Sequence, residues 1–249
     1  MLKFQSNQSF SISKAYTSKS LIKFCYFTCC LLLLSCGESK NEKPKSSEPI
    51  NNQKESNTEE SKEDTKTILC FGDSITAGYG LEDTKDAYPN LLQQKIDSLG
   101  LNYTVINSGL SGETTAGGKS RISWVLNQEV DIFLLELGAN DGLRGVAISE
   151  TRSNLQSIID KVQTKSPSTQ IILAGMQLPP NMGQDYTSDF KQVFSELASK
   201  NNIEFIPFIL KDVGGIEELN QNDGIHPNVE GHQIVAENVW DVLKPMITK

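Results

Sequence analysis

The sequence predicts a three-layer α/β/α domain around a five-stranded parallel sheet. Two observations predict it. Short, continuous apolar runs alternate with segments whose apolar residues recur at helical spacing. Strands without a polar alternation are buried on both faces, which requires helices above and below a parallel sheet. The domain spans residues 67–249, a length that suits one hydrophobic core.

The elements follow in order. Thr67-Ile68-Leu69-Cys70-Phe71 reads as the first strand, and 87–99 as a helix stopped by Gly100. Residues 103–106 form the second strand, and 114–127 a helix despite Gly117 and Gly118. Residues 131–135 are the third strand and 148–165 a helix. Residues 170–174, 188–200, 203–206 and 229–243 give strand, helix, strand and the last helix. There is no internal repeat.

The first 66 residues are of another kind. Lys3, Lys14, Lys19 and Lys23 precede an apolar run from Phe24 to Leu34, too short to span a bilayer. The run ends in Leu33-Leu34-Ser35-Cys36, so 1–35 reads as a secretory signal. Cys36 in the first mature position resembles a bacterial lipobox, which implies cleavage before Cys36 and lipidation of its thiol. An ordinary signal peptide with a chance cysteine is the alternative. Residues 36–66 are rich in Ser, Glu, Lys and Asn, with Ile50 the only large apolar residue, and read as a tether. Such a tether reaches roughly 30 Å. The expected location is therefore the bacterial cell envelope, anchored to a membrane by lipid. By the same resemblance, Gly37 after the cysteine favours outer-membrane sorting.

Charge and cysteine content narrow the function. The net charge is −8, with no basic patch interleaved with aromatics, which argues against nucleic-acid binding. Of five cysteines only Cys70 lies in the folded part, so no internal disulfide forms there, and its mid-strand place marks a buried thiol. The two histidines have no zinc-type spacing, and neither a metal nor another cofactor is expected.

Three segments carry the chemistry: Phe71-Gly72-Asp73-Ser74, Leu137-Gly138-Ala139-Asn140-Asp141-Gly142 and Asp223-Gly224-Ile225-His226-Pro227-Asn228. A serine needs a base beside it to become a nucleophile, the base needs a carboxylate, and a tetrahedral intermediate needs hydrogen-bond donors. The loops after the first three strands reach the carboxyl edge of the sheet, where open α/β folds bind ligands. The segment 223–228 precedes the last helix and can reach the same edge. Ser74 is the candidate nucleophile, though a glycine-flanked serine is more often a helix cap. His226 sits in a loop and is the candidate base; His232 falls inside the last helix and reads as a packing or surface residue. Asp223, three residues before His226, can hold the imidazole or merely shape an Asp-Gly turn.

Those segments resemble the sequence blocks of the SGNH (GDSL) hydrolases. Ser111-Gly112 fits the second block, and the match runs from about Thr67 to the end. The likeness extends to the thioesterase I/lysophospholipase L1 and arylesterase branch, carried also by Leu143-Arg144-Gly145 and Leu178-Pro179-Pro180-Asn181. It departs at Ala139, where that branch commonly has a second glycine. The resemblance implies a flavodoxin-like fold and a catalytic triad of Ser74, Asp223 and His226. It implies an oxyanion hole from Ser74, Gly112 and Asn140. It implies a serine esterase acting on small-molecule or lipid esters (lysophospholipid, aryl or acyl esters, acyl thioesters), and 178–183 as the acyl contact. A carbohydrate O-deacetylase of the same fold and a non-catalytic ligand-binding lipoprotein are the alternatives. A monomer is expected. Asp73 and Asp141 are expected to brace loops, and Glu136 to pair with Arg144 or Arg121.

Overall fold

The computed structural model describes residues 65–248. The predicted signal, Cys36 and almost all of the predicted tether lie outside the described residues. The described part is one α/β domain with a five-stranded, wholly parallel sheet.

The strands are β1 (Lys66–Gly72), β2 (Tyr103–Gly109), β3 (Ile132–Glu136), β4 (Gln170–Ala174) and β5 (Glu204–Ile206). Their spatial order is β2-β1-β3-β4-β5. Chain order therefore reverses between β1 and β3, the point at which open sheets of this order bind ligands. β1 and β3 are the central pair, with Phe71 opposite Leu135 and Gly72 opposite Glu136. Every residue of β3 is buried, as its unbroken apolar run predicts. β2 lies at the sheet edge and stays half-buried, which its Thr104 and Asn107 permit.

The helices are α1 (Ser74–Ala77), α2 (Tyr88–Ser98), α3 (Thr115–Val125), α4 (Ala139–Leu143), α5 (Ile148–Lys165), α6 (Gln184–Asn201) and α7 (Val229–Ile247). α2 packs on α7, and α5 packs between α3 and α6, giving a helical layer on each face. Leu92 and Ile96 of α2, Leu155, Ile158, Ile159 and Val162 of α5, and Val235, Val239 and Leu243 of α7 recur at helical spacing and are buried. Phe71, Phe133, Phe190 and Phe194 are fully buried between the layers. Truncating one such phenylalanine to alanine costs about 3–5 kcal/mol.

The expected elements occur, with β2 running on to Gly109 rather than ending at 106 and with shifted ends at two helices. α6 begins at Gln184 rather than 188, because Gly183 at φ 93° ends the proline-rich loop earlier. α7 continues to Ile247, running through Pro245 in its last turns. Two helices were not expected. α1 and α4 are only 4 and 5 residues long, and they follow β1 and β3 directly. Single turns carry no periodicity that a sequence pattern can register.

Candidate active site

Both short helices serve the carboxyl edge of the sheet. β1 ends at Gly72, Asp73 caps α1, and Ser74 is the first helical residue. The Asp73 Oδ1 accepts the Ile75 amide at 3.1 Å, satisfying one of the donors that a helix start leaves free. Gly72 is fixed by crowding. A Cβ there would come 2.0 Å from Thr76 Oγ1 and 2.5 Å from Glu136 Oε2.

The loop before α7 brings His226 to Ser74. Asp223 Oδ1 accepts the backbone N–H groups of Ile225 and His226, each at 3.0 Å, around Gly224 at φ 74°. The aspartate thus shapes the turn with one oxygen and keeps the other free. That second oxygen, Oδ2, lies 2.6 Å from His226 Nδ1. On the far side of the ring, His226 Nε2 lies 2.9 Å from Ser74 Oγ. The Tyr79 ring covers the imidazole, with centroids 4.8 Å apart. Gln221 ties the loop down through bonds to the Tyr79 and Pro227 carbonyls, and its N–H donates to the His226 carbonyl.

Burial alone would raise the Asp223 carboxyl. Hydrogen bonds from the His226 ring and from the Ile225 and His226 amides outweigh it and hold the group below its ordinary range. It is therefore an anion wherever histidine titrates, and an anion at Nδ1 fixes the tautomer that leaves Nε2 facing the serine.

His232 is the other histidine, and it is buried in α7. Its Nδ1 accepts the Tyr88 amide at 3.3 Å, and burial pushes its pKa down to about 4. It packs the helix α2 against α7 and takes no part in the Ser74 chain.

Asn140 is the second residue of α4. Its Nδ2 donates to Asp73 Oδ2 at 3.2 Å, and its Oδ1 accepts from Arg144 Nη2 at 3.4 Å. These partners set the amide orientation from both sides, and Nδ2 keeps a second N–H. Arg144 also donates to the Gly112 carbonyl at 3.1 Å, joining the Gly112 turn to α4. Gly112 has φ 79°, a left-handed conformation that suits glycine.

Arg121, expected as a partner for Glu136, does other structural work here. It reaches the Gly72 carbonyl, the Ser108 carbonyl and hydroxyl, and the Glu113 carboxylate, while its guanidinium lies 4.0 Å from the centroid of Phe71. One side chain thus braces the loops after β1 and β2.

The pairing expected for Glu136 is not found. Arg121 is taken by Glu113, and Arg144 by Gly112 and Asn140. Glu136 instead accepts from Thr76 Oγ1 at 2.7 Å and the Asp73 amide at 3.2 Å. Asp141 braces the start of α3, accepting from the Thr115 amide and hydroxyl. Cys70 is buried in β1, and burial pushes its thiol up to about 12. That is no nucleophile.

A cavity of about 420 Å³ opens at Ser74, Asn140 and His226. Its wall is apolar, with Leu143, Met176, Leu178, Phe208, Leu210 and Ile225 among its residues. Leu178 was expected there. The contribution of 208–215, the segment after β5, was not, since nothing in its sequence marks it. Among the described residues no group of three or more His, Cys, Asp or Glu side chains could hold a metal ion.

The GDSL-like Lipase/Acylhydrolase family profile matches residues 70–234, a span holding every residue of this site. The chain belongs to that family. It is a carboxylic ester hydrolase of the SGNH fold. This GDSL hydrolase is 39% identical over 183 residues to Esterase TesA of Pseudomonas aeruginosa, covering 73% of the chain and 90% of the relative. It is 33% identical over 182 residues to thioesterase 1/protease 1/lysophospholipase L1 of Escherichia coli K12, covering 73% and 85%. The crystal structure of TesA superposes with a TM-score of 0.69 at 40% identity, covering 73% of this chain and 99% of that one. The psychrotrophic esterase EstA from Pseudoalteromonas sp., inhibited by monoethylphosphonate, superposes with a TM-score of 0.69 at 33% identity, covering 74% and 99%.

Proposed function

We propose that this GDSL hydrolase cleaves esters of apolar acyl groups with Ser74 as nucleophile, His226 as base and Asp223 as its orienting anion. The observation that carries this reading is the unbroken relay Asp223 Oδ2–His226 Nδ1, 2.6 Å, and His226 Nε2–Ser74 Oγ, 2.9 Å. His226 Nε2 takes the Ser74 proton as Oγ attacks the ester carbonyl. The imidazolium, stabilised by Asp223, then protonates the departing alcohol or thiol. Water repeats the sequence on the acyl-enzyme and releases the acid.

The oxyanion of each tetrahedral intermediate is held by the Ser74 and Gly112 amides and the Asn140 Nδ2. Loss of one such donor costs about 2.7–4 kcal/mol of transition-state stabilisation. No step calls on a metal.

The apolar cavity beside Ser74 takes the acyl group. This favours acyl esters, lysophospholipids, aryl esters of fatty acids and acyl thioesters over carbohydrate acetates, whose bulk is polar. A hydrolysis panel on residues 67–249, with esters graded from acetyl to palmitoyl, tests it. Rising kcat/KM with chain length supports the reading; a preference for acetylated sugars overturns it.

Residues 1–35 act as a lipoprotein signal, and Cys36 carries the anchor that holds the domain near a membrane on the tether 36–66. Among the described residues no helix is long and apolar enough to cross a membrane. Stable anchoring needs more than one acyl chain, as lipoproteins of the resembled kind carry. Wild-type protein should fractionate with membranes and Cys36→Ser should not. Soluble wild-type protein with another N-terminus overturns the anchor and leaves the active site untouched.

A further inference from the structure

Glu136 is the last residue of β3, completely buried one strand away from the nucleophile turn. Its Oε2 accepts the Thr76 hydroxyl at 2.7 Å and the Asp73 amide at 3.2 Å. Its Oε1 has no hydrogen-bond partner among the described residues. Among the described residues no cation pairs with it. The nearest candidate, Arg121 of α3, touches the Gly72 carbonyl but is bound to Glu113.

The other titratable groups facing Glu136 are acids. Cys70 comes from β1, Asp73 from the turn after it, and Tyr88 from α2, its hydroxyl 2.8 Å from Thr76 Oγ1. His226 acts on Asp73 from the cavity side. A buried carboxylate with a bare oxygen, no cation and an acidic neighbour is a costly arrangement, and a neutral carboxylic acid lowers the cost by removing the charge.

We propose that Glu136 is a positioning residue that holds a buried proton, so that its neighbour Asp73 stays ionised and keeps the Asn140 amide aimed at the reacting oxygen. Asp73 makes two bonds that need an acceptor on each oxygen, Oδ1 to the Ile75 amide and Oδ2 to Asn140 Nδ2. A second charge at Glu136 would force the proton onto Asp73 and compromise one of them. Burial pushes Glu136 well up, and the Asp73 charge pushes it further. Burial raises Asp73 only to about 6, because the Ile75 and Asn140 bonds oppose it. Asp73 therefore ionises first and Glu136 keeps the proton. The same contacts explain Gly72, whose missing side chain leaves room for Glu136 and Thr76.

The test compares wild type, Glu136→Gln and Glu136→Leu. Gln reproduces a neutral acid, with one acceptor and donors, so kcat should stay within about threefold of wild type. Leu removes the acceptor, so kcat should fall about tenfold or more with KM little changed, the signature of a lost transition-state interaction. A Gln variant as impaired as Leu would show that a charge is required, and a Leu variant with wild-type kcat would show that nothing is positioned; either overturns the proposal. Should Leu fail to fold, the pH dependence of stability decides. A raised acid loses native stability as pH climbs above its ordinary 4.5, because the unfolded chain releases the proton first. The Tm advantage of Glu136→Gln over wild type should therefore grow from about pH 5 to 8. A constant difference overturns the proposal. The kinetic arm rests on Ser74 as nucleophile; the stability arm does not, so the failure of each is separable.

Discussion

His226 Nε2 stands 2.9 Å from Ser74 Oγ, across 152 residues of chain. The contact joins the start of α1 to the loop before α7. Neither end depends on the other for its local shape: α1 is capped by Asp73, and the His226 loop is folded by Asp223. The site is thus assembled from two turns, each held by its own local hydrogen bonds.

The two histidines should separate cleanly. His226→Ala should reduce kcat by several powers of ten, as loss of a triad base does. His232→Ala should keep most of its kcat at neutral pH and lose stability instead. Steady-state kinetics with thermal melts on both variants checks this, and a reversed ranking would mean that the base is misassigned.

His232 also predicts an acid-sensitive fold. Its folded pKa of about 4 lies below the ordinary 6.5. The unfolded chain therefore binds the extra proton first as pH falls. The stability that neutral His232 contributes is present above about pH 6.5 and is lost as pH falls towards 4, at most about 3 kcal/mol. His232→Gln should show a shallower loss over that window. Chemical denaturation at pH 7, 5.5 and 4 measures it.

Gly72→Ala should be far more harmful than a surface alanine. The added Cβ would meet Thr76 Oγ1 and Glu136 Oε2 inside contact distance. Overpacking of this kind costs about 1–3 kcal/mol, and here it displaces the Ser74 turn as well. Both Tm and kcat should fall. An unchanged Tm would show that the turn has room that the structure does not give it.

Leu143→Glu should change chain-length preference and leave the fold alone. Leu143 is 41% exposed yet lines the cavity. A carboxylate there must be desolvated by a long acyl chain and barely meets an acetyl group. We expect kcat/KM for long-chain esters to fall about tenfold or more, with acetyl esters little affected. Equal losses on both would place the acyl group elsewhere.

Much of this site is legible in the amino-acid sequence. β1, β3 and β4 are unbroken apolar runs, and their period alone gives a covered parallel sheet. Ser74 and Asn140 stand two residues after a glycine in segments that end two of those runs, and His226 stands before a proline in the loop ahead of α7. The parts that are not legible depend on contacts far apart in sequence. Glu136 reads as a charge in need of an arginine, yet it meets Thr76 and the Asp73 amide across the β1–β3 pair. Arg121 reads as one candidate partner for that charge, but braces Gly72, Ser108 and Glu113 instead. Phe208 and Leu210 line the cavity only because β5 ends beside it. α1 and α4 are too short for any period to show.

The most direct test is the site of covalent capture by a fluorophosphonate probe. The probe's phosphorus is attacked by an activated serine, so the adduct marks the nucleophile itself. Peptide mass spectrometry of the labelled wild-type protein should place one adduct on Ser74, labelling should stop in Ser74→Ala, and ester hydrolysis should be lost in parallel. A Ser74→Ala variant that still hydrolyses esters, or an adduct at any other residue, would contradict the account.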